Sequence, residues 1–85
     1  MRTIKELLIL LREKLPNIIP GEAMGLCAAT LFLYTNEDIS WDEMILIDDF
    51  LEIRKPYTRS LYSFWWPKGE LAPRLEFLDK LIAEL

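Results

Sequence analysis

The sequence contains no histidine and a single cysteine, Cys27. Without an imidazole there is no Ser-His-Asp or Cys-His catalysis and no zinc finger, and without a second cysteine there is no intramolecular disulfide. Cys27 lies among Leu26, Ala28 and Ala29. Those neighbours offer no base to depress a thiol pKa, so a packed thiol in a reducing cytoplasm is expected. Long apolar runs are also missing. The longest, Ala23 to Tyr34, has twelve residues and is interrupted by Gly25 and Thr30, whereas a membrane span needs about twenty. Ile4 to Leu11 is broken by Lys5 and Glu6, unlike the apolar centre of a signal peptide. A cytoplasmic protein with no membrane partner is the expectation.

Apolar residues make up 52% of the 85 residues, enough for one small domain with a core and too many for a disordered chain. Ten basic against fourteen acidic residues give a net charge of −4, which argues against duplex nucleic acid as a partner. The charge falls in blocks. Residues 22–53 carry eight acidic side chains and no basic one, whereas residues 54–74 carry Arg54, Lys55, Arg59, Lys68 and Arg74 against Glu70 alone.

Periodicity and caps predict an all-α fold, a compact bundle of about four short helices in a single domain over 1–85. Thr3 and Glu6 form a capping box ahead of Ile4, Leu7, Leu8, Leu11 and Leu15, which repeat at helical spacing. Pro16 and Pro20 are expected to stop that helix. A second, apolar nearly all round, is expected over 22–34, with Gly21, Gly25 and Ala29 giving a smooth packing side. Ser40 and Glu43 form a second capping box. Trp41, Met44, Ile45, Ile47, Leu51 and Phe50 form the buried side of the third helix, and Asp38, Asp42, Asp49 and Glu52 an acidic opposite side. The last helix starts near Pro73, a favoured first-turn residue, with Leu71, Leu75, Leu78, Ile82 and Leu85 as its stripe.

A long aromatic-basic loop is left between helices three and four, over 56–70, with weak strand character at 59–65. Five of the ten aromatics (Tyr57, Tyr62, Phe64, Trp65 and Trp66) fall within these residues, and no acid lies between Glu52 and Glu70. Aromatic faces stack on planar bases and Arg or Lys neutralises phosphate, while Trp, Tyr and Arg also anchor protein–protein interfaces. Plugging the end of a small core is the competing use of each aromatic taken alone. The candidate binding residues are therefore Lys55, Tyr57, Arg59, Tyr62, Trp65, Trp66, Lys68 and Arg74. No catalytic residue, metal ligand or cofactor is expected. The acidic side has no EF-hand pattern, no spacing singles out a catalytic carboxylate pair, and surface carboxylates are mostly solvated.

The run Trp65-Trp66-Pro67-Lys68-Gly69-Glu70, followed by Pro73-Arg74-Leu75 and Phe77-Leu78, resembles a set of small, mostly uncharacterised bacteriophage and prophage proteins. In these an aromatic–Pro–x–Gly turn precedes a short helix beginning near a Pro-Arg pair. Gly25-Leu26-Cys27 in a central helix is similar as well. The resemblance covers the second helix and the last twenty residues, and departs from the set in the basic approach to the tryptophans. It implies a phage accessory protein in the host cytoplasm and names no activity. Non-enzymatic proteins of that class act by binding: they inhibit a host defence protein, or act as a sponge for a nucleotide-derived immune signal. A structural homo-oligomer, with the aromatics buried between identical chains, is the third expectation.

Overall fold

In the computed structural model, residues 1–18, 26–53 and 71–85 are described. They form four helices, α1 (Ile4–Ile18), α2 (Leu26–Thr35), α3 (Trp41–Glu52) and α4 (Ala72–Glu84), and no strand. The radius of gyration is 11.6 Å, against about 12 Å for a compact domain of this length. The all-α bundle expected from periodicity is the fold. The expected strand character at 59–65 and the loop at 56–70 lie outside the described residues.

The Thr3–Glu6 box starts α1. The Glu6 amide donates to Thr3 Oγ1 at 3.2 Å and the Thr3 amide to Glu6 Oε1 at 3.0 Å, satisfying two donors the helix leaves open. These bonds stabilise the ionised Glu6 and lower its pKa. Leu7, Leu8, Leu11 and Leu15 are fully buried. Helix α1 does not stop at Pro16 but runs through it to Ile18. Proline there removes one hydrogen bond near the helix end, where few turns remain to be disrupted.

Helix α2 buries Leu26, Ala28, Ala29, Thr30 and Leu33; the Thr30 hydroxyl donates to the Leu26 carbonyl at 2.8 Å, so its burial leaves no open donor. Leu31 and Phe32 are exposed, because α2 packs mainly on α1 and α3 and these neighbours do not surround it. The expected start of this helix at 22–25, with Gly21 and Gly25, lies outside the described residues. Its end is a Schellman turn. The Asp38 amide donates to the Leu33 carbonyl and the Glu37 amide to that of Tyr34, with Glu37 at φ 64°, a left-handed position that glycine usually fills.

Helix α3 opens on Ser40, whose hydroxyl accepts from the Glu43 amide at 3.2 Å, and buries Glu43, Met44, Ile47 and Leu51. Trp41 and Ile45, expected on that side, are exposed: the core-facing arc runs through 44, 47 and 51, and both lie beside it. Asp38 precedes the helix, so the acidic side of α3 itself consists of Asp42, Asp49 and Glu52. Helix α4 carries Pro73 in its first turn and buries Arg74, Leu78 and Leu81. The expected stripe is turned: Leu71, Leu75 and Ile82 are half-buried flanks, and Leu85 is exposed. Helix α1 is the hub, packing against each of the other three, and α4 is held chiefly by α1.

Candidate functional site

Of the candidate binding residues, Lys55, Tyr57, Arg59, Tyr62, Trp65, Trp66 and Lys68 lie outside the described residues. Arg74 is described, and its place corrects the expectation of a surface contact. It is fully buried, because it lies four residues before Leu78 and seven before Leu81 on the core-facing side of α4. The basic-aromatic segment is thus flanked by two fixed points. Leu51, in the last turn of α3, is 1% exposed and Arg74, in the first turn of α4, is 0% exposed.

A second polar constellation forms where the N-terminus meets the α2–α3 corner. The Arg2 Nε donates to Glu43 Oε2 and its Nη2 to Glu43 Oε1, both at 2.9 Å, while the Arg2 amide reaches Oε2 at 3.1 Å. The same Nη2 donates to the Asp38 carbonyl at 2.7 Å, and the Ser40 amide donates to Glu43 Oε1 at 3.0 Å. The carboxylate thus accepts four hydrogen bonds and is nearly buried. The bonds from Arg2 and Ser40 outweigh the burial and hold its pKa far below the usual carboxylate range; Glu43 in turn raises Arg2. A cavity of about 620 Å³ opens beside the clasp, lined by Tyr34, Thr35, Glu37 and Ile39 as well as by the clasp residues. The Arg2 and Glu43 charges offset each other, and Glu37 and Asp38 leave the cavity lining net negative. The ion pair ties Arg2, two positions ahead of α1, to the first turn of α3. A smaller cavity of about 270 Å³ lies between Lys14, Ile18, Phe32 and Asn36, with Lys14 Nζ 3.9 Å from Asp38 Oδ1. On the far side of α1, Arg12 Nε meets Asp79 of α4 at 2.8 Å.

The third feature is the outer face of the α2–α3 hairpin. Tyr34 and Trp41 meet edge to face with centroids 5.4 Å apart, joining the two packed helices beside the turn that connects them. One turn along from each lie Leu31 and Ile45, both exposed. Asp48 follows on α3, its pKa raised by burial and by the neighbouring Asp49 and Glu52 charges. Composition missed this face, because the same residues fit a core equally well by hydrophobicity. The local signal was the i, i+4 spacing of Trp41 and Ile45, offset from the Met44–Ile47–Leu51 stripe.

Among the described residues no group of three or more His, Cys, Asp or Glu side chains is placed to hold a metal ion. None of the described helices is long and apolar enough to cross a membrane. Compared with protein-family models, curated proteins and solved structures, the chain matches none.

Proposed function

We propose that the chain is a phage-type accessory protein that acts by binding and not by catalysis, inhibiting a bacterial defence system by docking its basic-aromatic segment onto a host protein. The observation that carries the reading is the gathering of Lys55, Tyr57, Arg59, Tyr62, Trp65, Trp66 and Lys68, with no acid between Glu52 and Glu70, into one segment. That segment is bounded by the buried residues Leu51 and Arg74. Aromatic and basic side chains of this kind carry most of the energy of protein interfaces.

The burial of Arg74 bears on how a partner is held. In a sponge for a nucleotide-like signal, Arg59 or Arg74 would hold phosphate. A fully buried Arg74 is withdrawn from a surface contact of either kind, so Arg59 is the arginine left to hold phosphate or to anchor a protein partner.

The test is the plating efficiency of a phage on cells that each carry one defence system, with and without the chain. Wild type is expected to restore plaques on one such strain. The Arg59→Ala, Trp66→Ala double variant should lose that effect while keeping its helical circular dichroism. A rise in melting temperature with a cyclic or linear nucleotide would point to the sponge instead, since stabilisation follows RT ln(1 + [L]/Kd).

A further inference from the structure

We propose a second binding surface, independent of the basic-aromatic segment: the outer face of the α2–α3 hairpin, as a dock for a cationic amphipathic helix of a partner protein. The apolar part is the strip formed by Leu31, Tyr34, Trp41 and Ile45. Leu31 is 46%, Trp41 55% and Ile45 39% exposed, and the Tyr34–Trp41 contact joins the two helices along it. Exposed residues scattered singly need no explanation, but neighbouring ones on two packed helices form a patch that marks an interaction site. Two packed helices that both leave apolar side chains exposed beside their contact offer a surface on which an amphipathic helix can lay its apolar side.

Charge selects the occupant. Asp42 and Asp49 stand on the outer side of α3, three residues before and four after Ile45, and both are exposed. From Glu22 to Ile53 there are eight acidic side chains and no basic one. Glu43 is held by Arg2 and Asp38, at longer range, by Lys14, whereas Asp42 and Asp49 are the exposed carboxylates beside the strip. The field along the strip is therefore negative at its rim, and a helix with lysine or arginine flanking an apolar stripe matches both parts. Complementary rims of this kind speed encounter and fix register, while the apolar contact holds the complex.

The probe is a fluorescein-labelled, eighteen-residue Leu/Lys amphipathic helix, its binding read by anisotropy at low and moderate salt. Wild type is expected to bind it at least about tenfold more tightly than a peptide of the same composition scrambled to lose its apolar side. Ile45→Glu should weaken binding by a similar factor. Asp42→Lys with Asp49→Lys should remove both binding and its salt dependence. All three positions are exposed, so circular dichroism should be unchanged. Arg59→Ala with Trp66→Ala should leave peptide binding intact, which separates this surface from the function proposed above. Equal binding of the scrambled peptide, or no effect of Ile45→Glu, overturns the proposal. So does binding that occurs only after Arg54, Lys55 and Arg59 are neutralised, since the chain's own basic segment would then be the occupant. A dimer in light scattering that Ile45→Glu dissociates overturns it in favour of a second copy.

Discussion

Arg2 and Glu43, forty-one residues apart in the chain, share three hydrogen bonds of 2.9–3.1 Å. The same carboxylate closes the capping box of α3 on the Ser40 amide. One side chain therefore does two jobs: it starts a helix and it fastens the strand of chain ahead of α1 to that helix. Removing it should cost more than removing either partner.

Ser40→Ala deletes only the cap and is expected to cost about 1 kcal/mol, as N-cap deletions typically do. In a domain of this size that is roughly 4–8 °C of melting temperature. Glu43→Ala loses the cap partner and leaves Arg2 without its carboxylate, so thermal unfolding should show a clearly larger drop. Equal drops for the two variants would show that the Arg2 pair contributes nothing.

The pH dependence follows from the same carboxylate. Its pKa is lower in the folded than in the unfolded chain, so its contribution is fully present above the unfolded value of about 4.3 and is lost as pH falls through the folded value. Urea unfolding of wild type and Glu43→Gln should therefore differ most at neutral pH. The two curves are expected to converge at strongly acidic pH, and a constant gap across that range would contradict the assignment.

Asp48 has the opposite sign. Burial and the charges of Asp49 and Glu52 raise its pKa, so the folded state is penalised while Asp48 is ionised, and the penalty disappears on acidification. Asp48→Asn should raise stability at pH 7. Relief of the i,i+4 repulsion with Glu52 alone is about 0.2–0.5 kcal/mol, or roughly 1–4 °C. The gain should vanish below the pH at which Asp48 takes up its proton.

Glu37, at φ 64°, occupies the turn position that suits glycine. Glu37→Gly should stabilise by about 0.5–1 kcal/mol, the left-handed strain removed being partly offset by the freer unfolded chain. Glu37→Val, β-branched in the same position, should destabilise. Differential scanning calorimetry of the pair checks both signs at once.

Arg74→Ala should lower stability by about 1–3 kcal/mol, because it removes a wholly buried side chain from the core side of α4. Leu11→Ala in α1 should cost about 2–5 kcal/mol, a large share of the roughly 4–13 kcal/mol expected for a domain this long. If Arg74→Ala melts like wild type, its place in the core contributes nothing to stability.

What could be read from the chain was what is local. Thr3 with Glu6 and Ser40 with Glu43 are three residues apart, and a capping box needs nothing beyond that spacing. The number and class of helices came from periodicity for the same reason. What escaped was set by the packing of one helix on another. Trp41 and Ile45 are as hydrophobic as Met44 and Ile47, and only the direction from which α1 and α2 approach α3 decides which pair is covered. Arg74 looked like part of a basic run because charge was counted along the chain, while its burial depends on where α4 turns its core-facing side. The Arg2–Glu43 clasp left no trace in spacing, since a capping glutamate gives no sign that it has a second partner.

The way α4 rests on α1 has a kinetic consequence. Helices α2 and α3 are neighbours in sequence and can pair as soon as both exist, whereas α1 and α4 join distant parts of the chain, Arg12 meeting Asp79 sixty-seven residues away. Closing so long a loop carries an entropy cost that must be met before the contact rewards it. As the chain emerges from the ribosome, the flank of α1 that α4 covers stays wet until the last of the four helices is made. Amide protons of α4 should accordingly be the earliest of the four helices to exchange, opening as a unit while the other three remain shut.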